Sequence, residues 1–192
     1  MLITREIKEA AAAVGFDACG VCRALEVDGE RTFFEDWLGR GFNAGLDYLE
    51  RNIDKRFDPA LLVPGARSVI VCGVVYKNST SLGYGGECCT KVASYARTTD
   101  YHVTIKQMLR ELAERLRLSS SGARFRAFTD TAPLLEKSLA REAGLGFIGR
   151  NKLLVSPRYG SFILLGELVT DADADEYDVP YDGVGCGDCL RC

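Results

Sequence analysis

The 192-residue sequence predicts an α/β domain over residues 1–170, followed by the opening of an iron–sulfur module at residues 171–192. Three observations predict it. Stretches with apolar residues at helical spacing alternate with short apolar runs that read as strands. One of those runs, Ser68 to Tyr76, is apolar almost throughout, as strands buried on both faces are. The last seven residues, Cys186-Gly-Asp-Cys189-Leu-Arg-Cys192, place three cysteines at C-x2-C-x2-C spacing.

Thr4 is suited to cap a first helix whose alanine-rich run ends at Gly15. Phe16 to Cys22 follows as a short apolar strand. Asp28 is placed to cap a second helix, with Phe33, Phe34, Trp37 and Leu38 as its buried stripe and Gly41 as its end. A short helix near Leu46 to Arg51 precedes the turn Phe57-Asp-Pro59, and Pro64-Gly65 breaks the chain before the long strand. Residues 77–90 read as a Ser/Gly-rich loop and Val92 to Ala96 as a further strand. Asp100 caps a long amphipathic helix running to about Leu118. Phe125 to Phe128 is a strand, Pro133 to Ala143 a helix closed by Gly144, and Phe162 to Val169 a last strand. Beyond Thr170 the composition turns acidic and reads as a linker into the cysteines.

Length and composition narrow the function classes. A chain of this size buries about 70% of its unfolded surface, enough for one substantial core. It opens on Met1-Leu-Ile-Thr-Arg-Glu, without the apolar core of a signal peptide, and no stretch is long and apolar enough to cross a bilayer. Eight cysteines at uneven spacing do not make a disulfide scaffold, so the expectation is a cytoplasmic protein whose thiols are free or ligate metal. The net charge of −3 is unevenly spread: residues 91–158 carry 13 Lys and Arg against 6 Asp and Glu, and residues 159–192 carry 1 against 8. The basic middle suits either phosphate contacts or solvated helix faces, as at Lys106, Arg110, Arg115 and Arg117.

Several residues are placed to carry chemistry. The C-x2-C-x2-C run is the opening of a bacterial-ferredoxin cluster motif, because two-residue spacers let successive thiolates converge and Gly187 permits the turn. A zinc site or free thiols would also fit, and either metal needs a fourth ligand. Asp130 lies between a strand and a helix, where a carboxylate serves as a general acid or as a helix cap. Gly144-Leu-Gly146-Phe-Ile-Gly149 has the spacing of a dinucleotide loop but follows a helix, not a strand, which weakens that reading. His102, the single histidine, is open to a structural or a functional role. Cys19, Cys22 and Cys72 read as core strand residues, and Cys88-Cys89 falls in the long loop.

Taken together, these segments resemble the epoxyqueuosine reductase family. The resemblance rests on Asp54-Lys-Arg-Phe-Asp-Pro59 with Leu61-Leu-Val-Pro-Gly-Ala-Arg-Ser-Val69, and on Ala96-Arg-Thr-Thr-Asp-Tyr-His102. The longest block runs from Asp130-Thr-Ala-Pro-Leu-Leu-Glu to Gly149-Arg-Asn151. It continues through Ser156-Pro-Arg-Tyr-Gly-Ser161 and Gly166-Glu-Leu-Val-Thr170 and is followed by the cysteines.

The resemblance implies a three-layer α/β cobalamin-binding domain similar to corrinoid-processing and nitroreductase-like proteins, followed by a ferredoxin-like module. It implies reduction of epoxyqueuosine to queuosine at the tRNA wobble position, with reduced cobalamin acting on the epoxide carbon. An external donor would supply electrons through [4Fe-4S] clusters, and no membrane would be involved. Asp130 matches the proton donor. Arg56, Asn151, Leu154 and Leu165 match segments around the corrin, and Ala93 falls in another where the local sequence diverges. Cys186, Cys189 and Cys192 match the first three ligands of one cluster. On this resemblance the chain is the N-terminal portion of such an enzyme, ending within its first cluster motif. Competing expectations are a non-catalytic corrinoid- or RNA-binding module and a flavin-using reductase on a related scaffold.

Overall fold

The computed structural model describes residues 1–77, 92–97, 99–120, 122–183 and 185–190. The predicted 77–90 loop falls almost wholly outside them, as do Cys88, Cys89 and Cys192. The chain has an α/β fold around one four-stranded sheet. In chain order the elements are α1 (Thr4–Val14), β1 (Ala18–Arg23), α2 (Arg31–Gly39), α3 (Ile53–Phe57), β2 (Ser68–Val75), α4 (Tyr101–Ser119), β3 (Phe125–Phe128), α5 (Glu136–Glu142), β4 (Phe147–Ile148), β5 (Leu154–Val155) and β6 (Ile163–Thr170). The sheet order is β1-β2-β6-β3, antiparallel throughout, and β4 and β5 form a separate hairpin.

The apolar run of β2 is explained by its place inside the sheet. Ile70 and Cys72 face a cluster with Ile7 and Ala11 of α1 and Ile105, Leu109, Leu112 and Leu116 of α4. Val69 and Val71 face the opposite side, where Leu139 and Ala140 of α5 pack with Phe128, Leu165 and Val169. Period-two alternation along one strand thus feeds two cores. Cys19 and Cys22, three residues apart on β1, divide between them: Cys19 and Cys72 are cross-strand neighbours in the first, and Cys22 is buried in the second. The core reading of all three cysteines holds. Among the described residues, no helix is long and apolar enough to cross a membrane.

Several expectations are corrected. Thr4 opens α1 without capping it by its own side chain. Its N–H donates to Asp175 Oδ1 (2.8 Å) and its hydroxyl to the Glu176 carbonyl (2.5 Å), so residues distant in sequence satisfy this helix start. Asp28 begins a 3-10 turn, and α2 starts only at Arg31 with no buried residue. Its aromatic stripe does not reach the sheet: Phe33 is 70% exposed, while Phe34 packs on Trp37 and edge-on to Phe57 of α3. The helix near Leu46 is a single 3-10 turn, Asp47–Leu49. The strand expected at Val92 to Ala96 is instead a 3-10 turn, Ser94–Arg97. The helix expected from Pro133 begins at Glu136.

Residues beyond Thr170 run back across the domain. Asp171 accepts from the backbone N–H and guanidinium of Arg124, Asp173 pairs with Arg67, and Asp178 binds Lys8 and the Val21 N–H. The acidic run is therefore spent on cations and amides of α1 and β1 and just ahead of β2 and β3.

Candidate active site

Asp130 lies just past the end of β3. The preceding Thr129 is fully buried, and its hydroxyl donates to the Leu165 carbonyl (3.1 Å), tying the turn to β6. Asp130 itself takes a left-handed backbone, φ 50°, a region that Asp and Asn enter more readily than other side chains. The turn is held from α5, where Glu136 Oε1 accepts the Asp130 N–H. Because α5 starts at Glu136, Asp130 is not its cap, and its carboxylate is free for other partners.

Those partners come from the first turn of α4. Tyr101 donates its hydroxyl to Asp130 Oδ2 at 2.8 Å, and His102 Nε2 lies 3.2 Å from the same oxygen. His102 Nδ1 is 2.7 Å from Asp100 Oδ1, so the imidazole sits between two carboxylates. Asp100 also caps α4 by accepting the His102 N–H, as its position predicts. The bond to Asp100, reinforced by the one to Asp130, raises His102 above the ordinary imidazole value. Burial, then the bond to Asp130, pushes the Tyr101 phenol upward, which keeps it a neutral donor.

Behind the turn stands a second carboxyl pair that the sequence reading missed. Glu167 of β6 is fully buried, and burial, followed by the charge of Glu136, pushes it well above the usual carboxylate range. Burial likewise raises Glu136 to about 7. One signal was available: Glu167 is the only charge within Ile163-Leu-Leu-Gly-Glu-Leu-Val-Thr170, and a charge in an interior strand is rarely incidental.

Asp130 opens onto a cleft of about 520 Å³ whose lining includes Tyr48, Leu49, Arg56, Tyr101 and Leu165. Arg56 lies over the Phe34 ring, and its Nε is buried with no hydrogen-bond partner. A buried guanidinium donor without an acceptor is costly, so this position suits an oxygen-rich ligand. The structure thus brings Arg56, Asp130 and Leu165 to one cleft. Leu154 lies in the core on β5, and Asn151 is exposed on the β4–β5 connection, where its Oδ1 accepts the Leu153 N–H. Ala93 is exposed ahead of the Ser94–Arg97 turn. None of these three lines the cleft.

The glycine-rich segment has a packing explanation. A Cβ on Gly146 would lie 2.2 Å from the Val155 carbonyl oxygen, and one on Gly149 would lie 2.8 Å from Asn151 Oδ1 and 3.6 Å from Cys186 Sγ. These glycines close the β4–β5 hairpin and admit the cysteine segment, a role unrelated to nucleotide phosphates. Cys186 Sγ accepts the Arg150 N–H at 3.4 Å, and the Cys189 N–H turns back to the Cys186 carbonyl through Gly187 at φ 50°. Amide donation to a thiolate and an i, i+3 turn both fit cluster ligation. Among the described residues, no three His, Cys, Asp or Glu groups converge on one metal position. Burial pushes the Cys22 thiol up to about 12, which makes it inert.

Residues 56–131 match the family model described as "Epoxyqueuosine reductase QueG, DUF1730". The epoxyqueuosine reductase of Cyclobacterium marinum is 37% identical over 189 residues, covering 98% of this chain and 60% of that protein. That of Pseudomonas aeruginosa is 35% identical over 193 residues, covering 99% and 53%. The chain therefore spans little more than half the length of these relatives. Among solved structures, the epoxyqueuosine reductase of Streptococcus thermophilus superposes with a TM-score of 0.89 at 30% identity, covering 100% of this chain and 51% of that one. An epoxyqueuosine reductase bound to an epoxyqueuosine-modified tRNA-Tyr stem loop gives 0.84 at 28% identity, covering 96% and 49%. A catabolic reductive dehalogenase shares the fold alone, with a TM-score of 0.58 at 19% identity over 96% of this chain and 22% of that one. Through sequence and fold along nearly all of its 192 residues, the chain is similar to the N-terminal part of the epoxyqueuosine reductases, and its residues 56–131 match their DUF1730 family model.

Proposed function

We propose that this chain carries the acid and corrin-binding part of an enzyme that reduces epoxyqueuosine to queuosine at the wobble position of tRNA. The observation that supports it most is the position of Asp130, bonded to Tyr101 and His102 at the mouth of the cleft that holds Arg56. Converting an epoxide to an alkene takes two electrons and two protons, and the oxygen leaves as water. Cobalamin bound in the cleft would supply reducing electrons, and Cys186, Cys189 and Cys192 would provide three ligands of a [4Fe-4S] cluster that would pass electrons from an external donor.

The chain's own residues account for the protons. Both α4 bonds land on Asp130 Oδ2, which leaves Oδ1 to meet the departing oxygen. Tyr101 fixes the carboxylate, and protonated His102, steadied by Asp100, returns a proton to Asp130 after it has given one up. Arg56 would help hold the cobalamin by donating to one of its oxygens, and Leu165 would supply apolar wall. Asn151, Leu154 and Ala93 belong to the surrounding segments that complete the three-layer corrinoid domain. The cationic surplus between residues 91 and 158 suits a tRNA substrate, and a cytoplasmic location is consistent with tRNA modification.

The test is conversion of an epoxyqueuosine-containing tRNA stem loop in the presence of chemically reduced cobalamin, followed by mass spectrometry of the nucleosides. Asp130→Asn keeps the left-handed turn and removes the acid, and a rate loss of about 100-fold or more is expected. An unchanged rate would overturn the role of Asp130. Corrinoid binding without conversion by the unaltered chain would instead mark a binding module.

A further inference from the structure

Glu167 has 0% exposed surface, and no N–H or O–H donor from another described residue reaches either of its carboxyl oxygens. It sits on β6 opposite Val71 of β2 and Phe128 of β3, between Leu165 and Val169 in an otherwise apolar core. The carboxyl of Glu136 lies within hydrogen-bonding reach of it. Asp130 faces the pair from the β3–α5 turn, His102 and Tyr101 from α4, Cys22 from β1 and Cys72 from β2.

Two ionised carboxylates cannot share that space, because neither would be solvated and each would repel the other. Two neutral ones would leave Asp130 with a weaker acceptor. One proton resolves both problems. We propose that Glu136 and Glu167 form a one-proton carboxyl pair in which Glu167 donates to Glu136, and Glu136 uses Oε1 to hold the Asp130 N–H and latch the acid over the cleft. Glu136 is thereby a positioning residue for Asp130, and Glu167 keeps Glu136 oriented and ionised. The left-handed backbone at Asp130 gives the latch its purpose: this sparsely populated conformation persists only if its surroundings hold it.

The latch rests on the reading of Asp130 as the acid, and its test is independent of turnover. In the 192-residue chain with 13C-labelled glutamate carboxyls and 15N-labelled amides, titration by NMR follows both ends of the latch. The expected result is that the Glu136 carboxyl and the Asp130 amide shift together with one midpoint near neutrality, while Glu167 remains protonated through that range. Glu136→Gln abolishes the titration of the Asp130 amide and speeds its hydrogen exchange by about tenfold, the loss of one charge-assisted bond. Glu167→Gln preserves the protection, because its amide still donates to Glu136. Ordinary low titration of both carboxyls in the unaltered chain would overturn the proposal even if Glu136→Gln failed to fold. So would Asp130 amide exchange that ignores Glu136→Gln. An inactive Asp130→Asn with normal Glu136 and Glu167 titration would sink the latch and spare the acid; an active Asp130→Asn with the latch signature would do the reverse.

Discussion

The two faces of the sheet are built differently, and the difference separates stability from chemistry. On the α1/α4 face, Ile7, Ile70, Leu109, Leu112 and Leu168 fill a core with no charged group among its buried members. On the α5 face, Leu139, Phe128 and Val169 surround Glu167, a carboxyl that no designer of stability alone would bury there. The first face is a conventional apolar core. The second gives up stability to hold the Asp130 turn.

The largest expected effect tests the first face. Leu109→Ala removes a fully buried side chain and should cost about 3 kcal/mol in urea unfolding, equally at mildly acidic and mildly alkaline pH. The second face should respond with the opposite sign and with pH. Since burial holds Glu136 and Glu167 protonated where an unfolded glutamate ionises, the folded chain binds more protons than the unfolded one above the ordinary glutamate value. Stability therefore falls as pH rises from that value through about 7. Glu167→Gln should stabilise the chain at mildly alkaline pH, with the gain vanishing in acid. A pH-independent response would erase the contrast between the faces.

Much of the fold was legible because most elements announce themselves locally. Asp100 before α4, the apolar run of β2 and the strand Phe125 to Phe128 each carry their own signal in a few residues. The errors lie where burial depends on something distant. The Phe33, Phe34, Trp37 and Leu38 stripe has helical spacing, yet spacing cannot say that the sheet is already covered by α5 on that side. Thr4 looked like a cap because its partners, Asp175 and Glu176, are about 170 positions away in sequence. At the site, Asp130 and Arg56 were readable from the family's motif segments. Tyr101 and the Glu136–Glu167 pair were not singled out, since their roles arise only once α4, α5 and β6 meet.

Two smaller effects sharpen the comparison. His102 is the only histidine, so its ring signals can be followed by NMR without assignment. Its titration midpoint should lie above the ordinary imidazole value and drop in Asp100→Asn, because the Asp100 bond is the main cause of the rise. Phe33→Ser, on the exposed side of α2, should change stability by less than about 0.5 kcal/mol. A loss comparable to that of Leu109→Ala would mean that α2 supports the core after all.

The central claim is that the α5 face presents a corrin site whose cation is Arg56. The most direct test is titration of the purified chain with cob(II)alamin, followed by electron paramagnetic resonance, for the unaltered sequence and Arg56→Ala. The account predicts a saturating change to the base-off signal, weakened about tenfold in Arg56→Ala by loss of one charged hydrogen bond. No spectral change, or identical titrations of the two proteins, would contradict it.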